Sequence, residues 1–320
     1  MQKKWPLGDR ELKLGMMGMT EGNGHPYSWS AIFNGYDRDE MATCGFPVIP
    51  VYLAQQPEST FGIPGARVTH VYCNQRSDAE HVARAALIPN VVDRPEDMLG
   101  EVDAVVCATD VGAEHVERCR PFIENDIPVF IDKPLVDNVE DLRTFIAWHE
   151  AGKHFLSSSS LRYQKDLEPY YKNRYELGQL VFIARTMQKY WTTYGMHALE
   201  SLYPLLGEGF RSIQDVGPDP AAGKHHMLIK HDSGCTISLV QQYFISSPGL
   251  LLCGTDASIV LNGGDTYYSF KKQMEVFVEY IRTGIEPYPF RETVVLAQLL
   301  IGGLISGREG GREVLLSEIV

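Results

Sequence analysis

The sequence of 320 residues lacks the cysteine spacing of a disulfide framework, because its six cysteines are scattered and no C-x-x-C pair occurs. It also lacks an excess of positive charge: 29 basic residues are outnumbered by 41 acidic ones, which gives a net charge of −12. This balance argues against nucleic acid and anionic membranes as partners. We therefore expect a protein of a reducing compartment, the cytoplasm, that binds neither nucleic acid nor membrane.

Long hydrophobic runs are missing as well. The start, Met1 to Gly15, has no apolar core of a signal peptide. The longest apolar-rich run, Val294 to Ile305, is shorter than a bilayer span and contains Gln298. With 44% hydrophobic and 22% charged residues, the composition is that of a soluble globular protein with room for two domains.

The first half of the chain alternates short apolar runs with helical patterns. Strands are predicted at 12–18, 68–73, 102–108 and 128–131, and helices at 78–87, 95–99, 114–125 and 139–151. Strands that are apolar on both faces and alternate with helices indicate a parallel sheet covered on both sides. We predict an α/β domain with a doubly wound parallel sheet over residues 1–156. A Pro-rich insertion, about 40–66, contains enough aromatic residues to be ordered and packed.

The pattern of predicted strands and helices changes in the second half of the chain. Strands are predicted at 180–189, 227–230, 234–244 and 257–261, and helices at 198–206, 274–283 and 292–306. Several of these strands alternate apolar and polar residues, which is typical of an antiparallel sheet with one covered face. We predict an α+β domain over residues 157–320 with a mostly antiparallel sheet.

A glycine-rich loop follows the first predicted strand, where a parallel sheet binds ligands. It contains Gly18, Gly22 and Gly24, whose backbone N–H groups could approach a pyrophosphate. The G-x-G-x-x-G spacing is broken, however, because Thr20 replaces the second glycine and Glu21 brings a negative charge. A dinucleotide loop and a merely glycine-rich turn are equally compatible with this pattern.

The end of the second strand carries Asn74 and Arg76 in place of the acid that usually binds ribose hydroxyls. Asn74 could hydrogen-bond a ribose, and Arg76 could accept a 2′-phosphate. The pattern therefore permits NAD or NADP, and an ordinary polar strand end remains the alternative.

The run Ile127 to Ile131 ends in Asp132, Lys133 and Pro134. The proline disfavours a helical conformation at Lys133 and fixes the direction in which the chain leaves the strand. In this context we interpret Lys133 as directed towards the ligand crevice, although a lysine at a strand end is more often simply solvated.

With these motifs the chain resembles the Gfo/Idh/MocA family (glucose–fructose oxidoreductase and inositol dehydrogenase) over nearly its whole length, apart from the insertion. Asp132-Lys133-Pro134 is similar to the family's E-K-P motif, and further matches lie at Asp103–Thr109 with His115, at Leu161–Tyr163 and at Gly195–Gly207. The resemblance implies an N-terminal Rossmann domain, a C-terminal domain with an open sheet, and NAD(P)-linked oxidation of a sugar or cyclitol hydroxyl.

The resemblance also implies roles for individual residues. The catalytic residues would be Lys133, which stabilises the developing alkoxide, and His197, which takes the hydroxyl proton. The cofactor-binding residues would be Gly18, Thr20, Gly22, Gly24, Asn74, Arg76, Thr109, Asp132 and Lys133. The substrate-binding residues would be His25, Tyr163, Thr193 and Tyr194.

Each of these roles has a structural alternative. His197 could cap the helix predicted at 198–206, Tyr163 and Tyr194 could be packed aromatics, and His25 could simply start a core helix. The sequence also departs from the family: Asp132 replaces a glutamate, Thr193 an aspartate, and the phosphate loop carries Thr20 with Glu21.

Three histidines, His225, His226 and His231, suggest a metal site at first sight. On a strand, His226 would lie on the face opposite to the other two, and no carboxylate or thiolate is grouped with them. We therefore expect no metal site.

Two other functions remain open from the sequence. The chain could use bound NAD transiently in a redox-neutral elimination, epimerisation or glycoside cleavage, or it could be a non-catalytic Rossmann sensor. An open sheet needs another surface to cover its apolar side, so we expect a homodimer or homotetramer formed through the strands between Leu180 and Phe244.

Overall fold

The protein is described by a computed structural model over residues 5–245 and 249–320. The chain forms two compact units. Unit 1 contains Met1–Asp132, Thr144–Ser157 and Phe270–Tyr288, and unit 2 contains Lys133–Arg143, Ser158–Ser269 and Pro289–Val320.

These units divide the chain differently from the predicted domains, 1–156 and 157–320. The chain changes unit near the predicted point, between Ser157 and Ser158, but 270–288 belong to unit 1 and 133–143 to unit 2. The physical reason for the first difference is aromatic packing within unit 1. Phe277 lies 5.6 Å from Phe130, and Phe270 lies 5.9 Å from Trp29, between ring centroids.

Unit 1 is built on a six-stranded parallel sheet with the strand order β3-β2-β1-β4-β5-β6. The strands are β1 (Leu12–Met17), β2 (Ala66–Tyr72), β3 (Asn90–Val91), β4 (Ala104–Cys107), β5 (Val129–Ile131) and β6 (Phe155–Ser157). β4 and β5 are buried at every position, as the apolar runs predicted. The order reverses between β1 and β4, so the ligand crevice of this doubly wound sheet lies at their carboxyl ends.

Helices connect these strands. They are α1 (His25–Asn34), α2 (Arg38–Ala42), α3 (Val48–Ala54), α4 (Arg76–Ala85), α5 (His115–Ile123) and α6 (Val139–Glu150). The insertion at about 40–66 is ordered, as predicted. It contains α3, whose Ile49 and Leu53 are buried, and a 3₁₀ helix at Glu58–Thr60.

Unit 2 is built on a seven-stranded sheet with the order β12-β11-β7-β10-β9-β8-β13. The strands are β7 (Leu180–Met187), β8 (Phe210–Asp215), β9 (His225–His231), β10 (Thr236–Gln241), β11 (Leu250–Gly254), β12 (Ser258–Leu261) and β13 (Val314–Leu315). Among the described residues, β7 and β10 are the one pair of strands in this sheet that run parallel, so the sheet is mostly antiparallel, as predicted.

The helices of unit 2 cover one face of this sheet. They are α7 (Glu168–Lys172), α8 (Trp191–Leu199), α9 (Leu202–Leu206) and α11 (Phe290–Arg308), while α10 (Thr266–Thr283) continues into unit 1. α8 and α11 are joined by the Trp191 indole N–H, which donates to the Leu300 backbone oxygen at 3.0 Å. The helix predicted at 198–206 is two helices, because the chain turns at Glu200 and Ser201.

α11 is the one helix in the described ranges that is long and apolar enough to cross a membrane. Of its most apolar window, 61% is buried within the protein. This burial is typical of a core helix in a globular protein.

Candidate functional site

The glycine loop leaves β1 at the crevice edge of unit 1. Gly18 has φ +85°, and a Cβ atom there would lie 2.5 Å from Thr109 Cγ2, so the close approach of the two segments requires glycine. The Thr20 hydroxyl donates to the Asp110 carboxylate, and the Asn23 N–H donates to the Thr20 oxygen at 3.0 Å. Thr20, which breaks the glycine pattern, therefore fixes a tight turn.

The start of α1 offers fewer donors to a phosphate than a regular Rossmann helix. The His25 N–H donates to Asn23 Oδ1 at 3.0 Å, and Pro26 has no N–H. The N–H groups of Gly22 and Gly24 donate to no residue in the described part of the chain. The loop can therefore hold a pyrophosphate through these two glycines.

A cation that the sequence reasoning missed lies beside this loop. Arg118 Nη1 would lie 3.9 Å from a Cβ atom at Gly18, and it donates to Asn74 Oδ1 at 3.1 Å. Its Nε donates to Glu114 at 2.7 Å, and the side chain is mostly buried. Arg118 therefore joins the predicted ribose residue Asn74 to the predicted phosphate loop. An arginine in the middle of an amphipathic helix carries no signal of this role in the sequence.

Arg76, which we predicted to accept a 2′-phosphate, forms ion pairs with two carboxylates instead. Its guanidinium is exposed and donates to Glu80 at 2.9 Å and to Asp93. The hydrogen bond to Glu80 is the main cause that raises the Arg76 pKa, with Asp93 contributing. Two carboxylates thus already neutralise the group, which disfavours a phosphate ligand there.

Asp132, at the carboxyl end of β5, organises the polar residues of the loop. The buried carboxylate accepts from Asn23 Nδ2 at 3.0 Å and pairs with His25 Nδ1 at 2.6 Å. The His25 ring is stacked on Trp29 at 4.3 Å. Both a carboxylate and an aromatic ring therefore fix the orientation of His25, so it is a positioned imidazole as well as the first residue of a core helix.

Lys133, the next residue, belongs to unit 2 and is 2% exposed. Its ammonium group donates to the Thr193 backbone oxygen at 3.4 Å and lies 5.2 Å from the centre of the Tyr194 ring. The simple alternative of a solvated lysine at a strand end is therefore wrong. Where the family has an aspartate, this chain offers a backbone carbonyl to the lysine.

The helix α8 carries three of the predicted residues. Thr193 and His197 are four positions apart and thus share one face, and Tyr194 is adjacent. His197 Nδ1 is 2.5 Å from Ser159 Oγ, and its ring meets the Tyr194 ring edge-on at 4.9 Å. His197 lies in the last turn of α8 rather than in front of a helix at 198–206, because the helix begins earlier, at Trp191.

A second lysine completes this group and was not predicted. Lys189 donates from Nζ to the Tyr194 hydroxyl at 2.6 Å, and its backbone has φ +61°, which is uncommon for a residue other than glycine. We call Lys133, Lys189, Thr193, Tyr194 and His197 the lysine–histidine cluster. Left-handed residues are not visible in a sequence without a turn motif, so nothing could have identified Lys189.

A network of buried charged side chains is linked to this cluster through Ser159. Arg162 donates to Glu200 at 3.1 Å and also to Glu292, and Glu200 accepts the Ser159 N–H at 3.0 Å. Burial raises the pKa of Glu200, while Arg162 opposes that rise. The network holds Ser159, and through Ser159 it orients His197.

Two other predictions concern unit 2. Tyr163 is buried, and its backbone oxygen accepts a hydrogen bond from Ser269 at 3.3 Å, while a contact between its side chain and substrate stays a prediction. The histidines at 225, 226 and 231 bond Asp215, Ser238 and Ser233 respectively. Within the described residues no group of histidine, cysteine and carboxylate side chains could hold a metal ion.

Residues 48–157 match a family model described as GFO_IDH_MocA, an oxidoreductase family with an NAD-binding Rossmann fold. No curated protein matches the sequence. Among solved structures, a probable dehydrogenase from Thermotoga maritima superposes with a TM-score of 0.74 at 13% identity, over 97% of this chain and all of that one (100%).

Two further similar structures are inositol dehydrogenases from Lactobacillus casei. The scyllo-inositol dehydrogenase with bound NAD(H) and scyllo-inositol has a TM-score of 0.72 at 11% identity, and covers 96% of this chain and 100% of that chain. The myo-inositol dehydrogenase in complex with NAD(H) and myo-inositol has a TM-score of 0.73 at 14% identity, with 95% and 96% covered.

Three features of unit 1 fit an NAD-binding Rossmann fold. They are the strand order, the glycine at the close approach to Thr109, and the N–H groups of Gly22 and Gly24, which donate to no described residue. The family resemblance read from the sequence is thus confirmed. Residues 48–157 match the model of the Gfo/Idh/MocA family of NAD-binding oxidoreductases, and the chain is similar in fold to the probable dehydrogenase from Thermotoga maritima over nearly its whole length.

Proposed function

We propose that the protein is an NAD-dependent dehydrogenase that interconverts a hydroxyl and a carbonyl group on a sugar, a sugar derivative or a cyclitol. The family supports the cofactor, and the Lactobacillus casei structures with NAD(H) and inositols support the substrate class.

The observation that carries the proposal is the position of Lys133. Lys133 is almost completely buried, and its ammonium group donates to the backbone oxygen of Thr193, one helical turn before His197 on α8. The ammonium group is therefore held at a fixed place beside the helix that carries His197. A substrate oxygen that gains negative charge during the reaction would be stabilised by this lysine.

His197 supplies the second requirement, a group that takes the hydroxyl proton. Ser159 and Tyr194 orient its ring, and it lies one helical turn from Thr193, which contacts Lys133. NAD, when bound to unit 1, would accept the hydride. Tyr194 can bind another substrate oxygen, because its hydroxyl accepts from Lys189 and keeps its own proton to donate.

For unit 1 we propose that Gly18, Gly22, Gly24 and Arg118 hold the pyrophosphate and that Asn74 contacts the ribose. Because Glu80 and Asp93 occupy Arg76, NAD is the cofactor that this arrangement favours over NADP. Thr109 packs on Gly18 and shapes the loop without needing to contact the cofactor.

The function is tested by thermal unfolding with NAD, NADP and a panel of alditols, aldoses and inositols, followed by NADH absorbance for every ligand that stabilises the protein. We expect stabilisation by NAD and NADH formation with at least one polyol. NAD that stays bound through gel filtration, with no net NADH from any polyol, would instead support redox-neutral chemistry. No stabilisation by either dinucleotide would contradict the proposal.

We also propose a cytoplasmic homodimer or homotetramer. All six cysteines are free, five of them buried, which suits a reducing compartment. The outer face of the unit 2 sheet carries the aligned row Val260, Leu251, Ala184, Ser238 and Leu228, and no member of this row is buried. We call it the outer row. A second copy could cover this face.

A further inference from the structure

The inner face of the unit 2 sheet contains a buried arginine, Arg185, between apolar side chains. The residues aligned there across the strands are Leu261, Leu250, Arg185, Leu239, Met227 and Asp215, all buried. We call this the inner row. Arg185 lies between two leucines on the neighbouring strands and is 6% exposed.

Within the described residues, the guanidinium of Arg185 has a single hydrogen bond. Nη2 donates to Gln164 Oε1 at 3.2 Å, while Nε and Nη1 are buried and donate to no described residue. Gln164 in turn donates to Asp166 at 2.9 Å, so the closest connection to a carboxylate passes through a neutral amide. Burial lowers the pKa of Arg185 to about 10, while Tyr171 and the Asp166 carboxylate act in the opposite direction, and the group stays charged at neutral pH. Asp166 therefore compensates the charge only in part, because the effect of burial outweighs it.

No carboxylate of the inner row can compensate this charge. Asp215 is three strands away, roughly 14 Å at the usual strand spacing, and its oxygens bind His225, Gly217 and His226. Arg162 shows the contrast, because it is equally buried, at 6% exposed, and bonds two carboxylates. A buried charge without a direct ionic partner destabilises the folded protein, and a ligand of opposite charge would offset this destabilisation.

The position of Arg185 connects it to the lysine–histidine cluster of the same unit. It precedes the end of β7 by two residues, about 7 Å along the strand, and Lys189 follows that end. The short turn 159–164 bonds His197 through Ser159 and Arg185 through Gln164. At about 2 Å per residue this turn is roughly 10 Å long. The His197 imidazole and the Arg185 guanidinium are held at its two ends. A six-carbon acid, together with the two side chains, can span that distance.

We propose that Arg185 binds the carboxylate of an acidic substrate, such as a uronate or aldonate, whose hydroxyl is oxidised at the lysine–histidine cluster. A carboxylate carries one negative charge, which balances one guanidinium, and it accepts from two donors at once. A phosphate would bring nearly two negative charges into the inner row and leave one of them uncompensated. The proposal rests on the proposed function and narrows its substrate class.

The first test needs no ligand. Arg185→Met removes the charge and keeps most of the volume, and Arg162→Met is the matched control at the same exposure. We expect Arg185→Met to raise Tm by about 2–4 °C or more, because the uncompensated charge is gone, and Arg162→Met to lower it by stranding two carboxylates. Equal destabilisation by both variants would overturn the proposal, since Arg185 would then be compensated within the protein.

The second test uses matched ligand pairs with NAD at saturation: D-glucuronate and D-galacturonate against the parent sugars, D-gluconate against D-glucitol, and glucose 6-phosphate as the phosphate arm. We expect at least one acid to bind the wild type at least about tenfold more tightly than its neutral partner, and Arg185→Met to lose this preference. No preference for any acid, or a preference kept by Arg185→Met, would overturn the assignment, as would a preference for the phosphate arm alone.

The two proposals fail in different ways. If neutral polyols are oxidised with no preference for acids, the dehydrogenase stands and the carboxylate site falls. If acids bind in an Arg185-dependent way but no NADH forms with any ligand, the carboxylate site stands and net oxidation falls.

Discussion

At the scale of single residues, the consecutive pair Asp132 and Lys133 has two separate tasks. Asp132 is tied to Asn23 and His25 in unit 1, while Lys133 is tied to Thr193 and Tyr194 in unit 2. The sequence pointed to both residues because a strand end followed by a proline is a local signal, and the family resemblance pointed to His197. It carried no signal for Lys189, Arg118 or Arg185, since the roles we propose for them depend on burial and on partners distant in the chain.

Arginine substitutions in unit 1 test the cofactor site at this scale. Arg118→Met should weaken NAD by about tenfold, about 1.4 kcal/mol, because it removes the cation next to Gly18 and the partner of Asn74. Arg76→Ala is the matched control, and it should leave NAD affinity unchanged, since that guanidinium is occupied by Glu80 and Asp93. Calorimetric titration with NAD and NADP gives both values. If Arg76→Ala weakens the affinity for NAD or NADP more than Arg118→Met does, Arg76 binds the cofactor as the sequence predicted.

At the scale of elements, the strands β8 and β11 of the unit 2 sheet were not predicted. In β8, with the sequence FRSIQD, polar residues hide the alternation, and β11, with the sequence LLLCG, is a short apolar run without any alternation. α10 begins at Thr266, eight residues before the predicted start at Met274, because packing overrides the weak helix preference of Thr266, Tyr267 and Tyr268. Tertiary contacts, rather than local preference, decide these boundaries.

The end of β8 depends on one carboxylate. Burial alone would raise the pKa of Asp215, but hydrogen bonds from His225 and from the Gly217 and His226 N–H groups lower it below the usual value. Its stabilising effect is therefore complete above the pKa of an unfolded aspartate, about 3.9, and is lost as the pH falls through the lower, folded value.

Asp215→Asn should accordingly reduce the free energy of unfolding at neutral pH by about 1–3 kcal/mol. The exposed Asp9→Asn should have no effect. Denaturant unfolding gives the free energy of unfolding of both variants, at neutral pH and at pH values below the pKa of an unfolded aspartate. The difference between Asp215→Asn and the wild type should shrink as the pH falls, and a constant difference would show that Asp215 acts by packing and not by charge.

At the scale of the whole molecule, the open sheet of unit 2 is the surface through which we propose that copies of the chain assemble. Its outer row is the apolar surface that the sequence led us to expect on an uncovered sheet, although the pairing register that aligns the row is visible only in the structure. Val260 at one end of the row is 52% exposed.

Ala184→Arg places a large charge at the centre of the outer row, where a second copy would have to bury it. We expect the wild type to be a dimer or tetramer in light scattering at micromolar concentration and Ala184→Arg to be smaller. Val51→Lys on α3, an exposed apolar residue of unit 1, is the control and should leave the mass unchanged. A wild-type monomer would refute assembly through this face.

The most direct test of the account is the single-turnover rate of NAD reduction by Lys133→Met, with saturating cofactor and the first substrate that the polyol and acid panels provide. Methionine keeps most of the lysine volume, so the fold and NAD affinity should be retained, which thermal unfolding and titration verify. We predict a rate about 10²- to 10⁴-fold below wild type, because the group that stabilises the substrate oxygen is gone. A rate within about threefold of wild type would mean that Lys133 is a structural residue, and it would contradict the catalytic assignment.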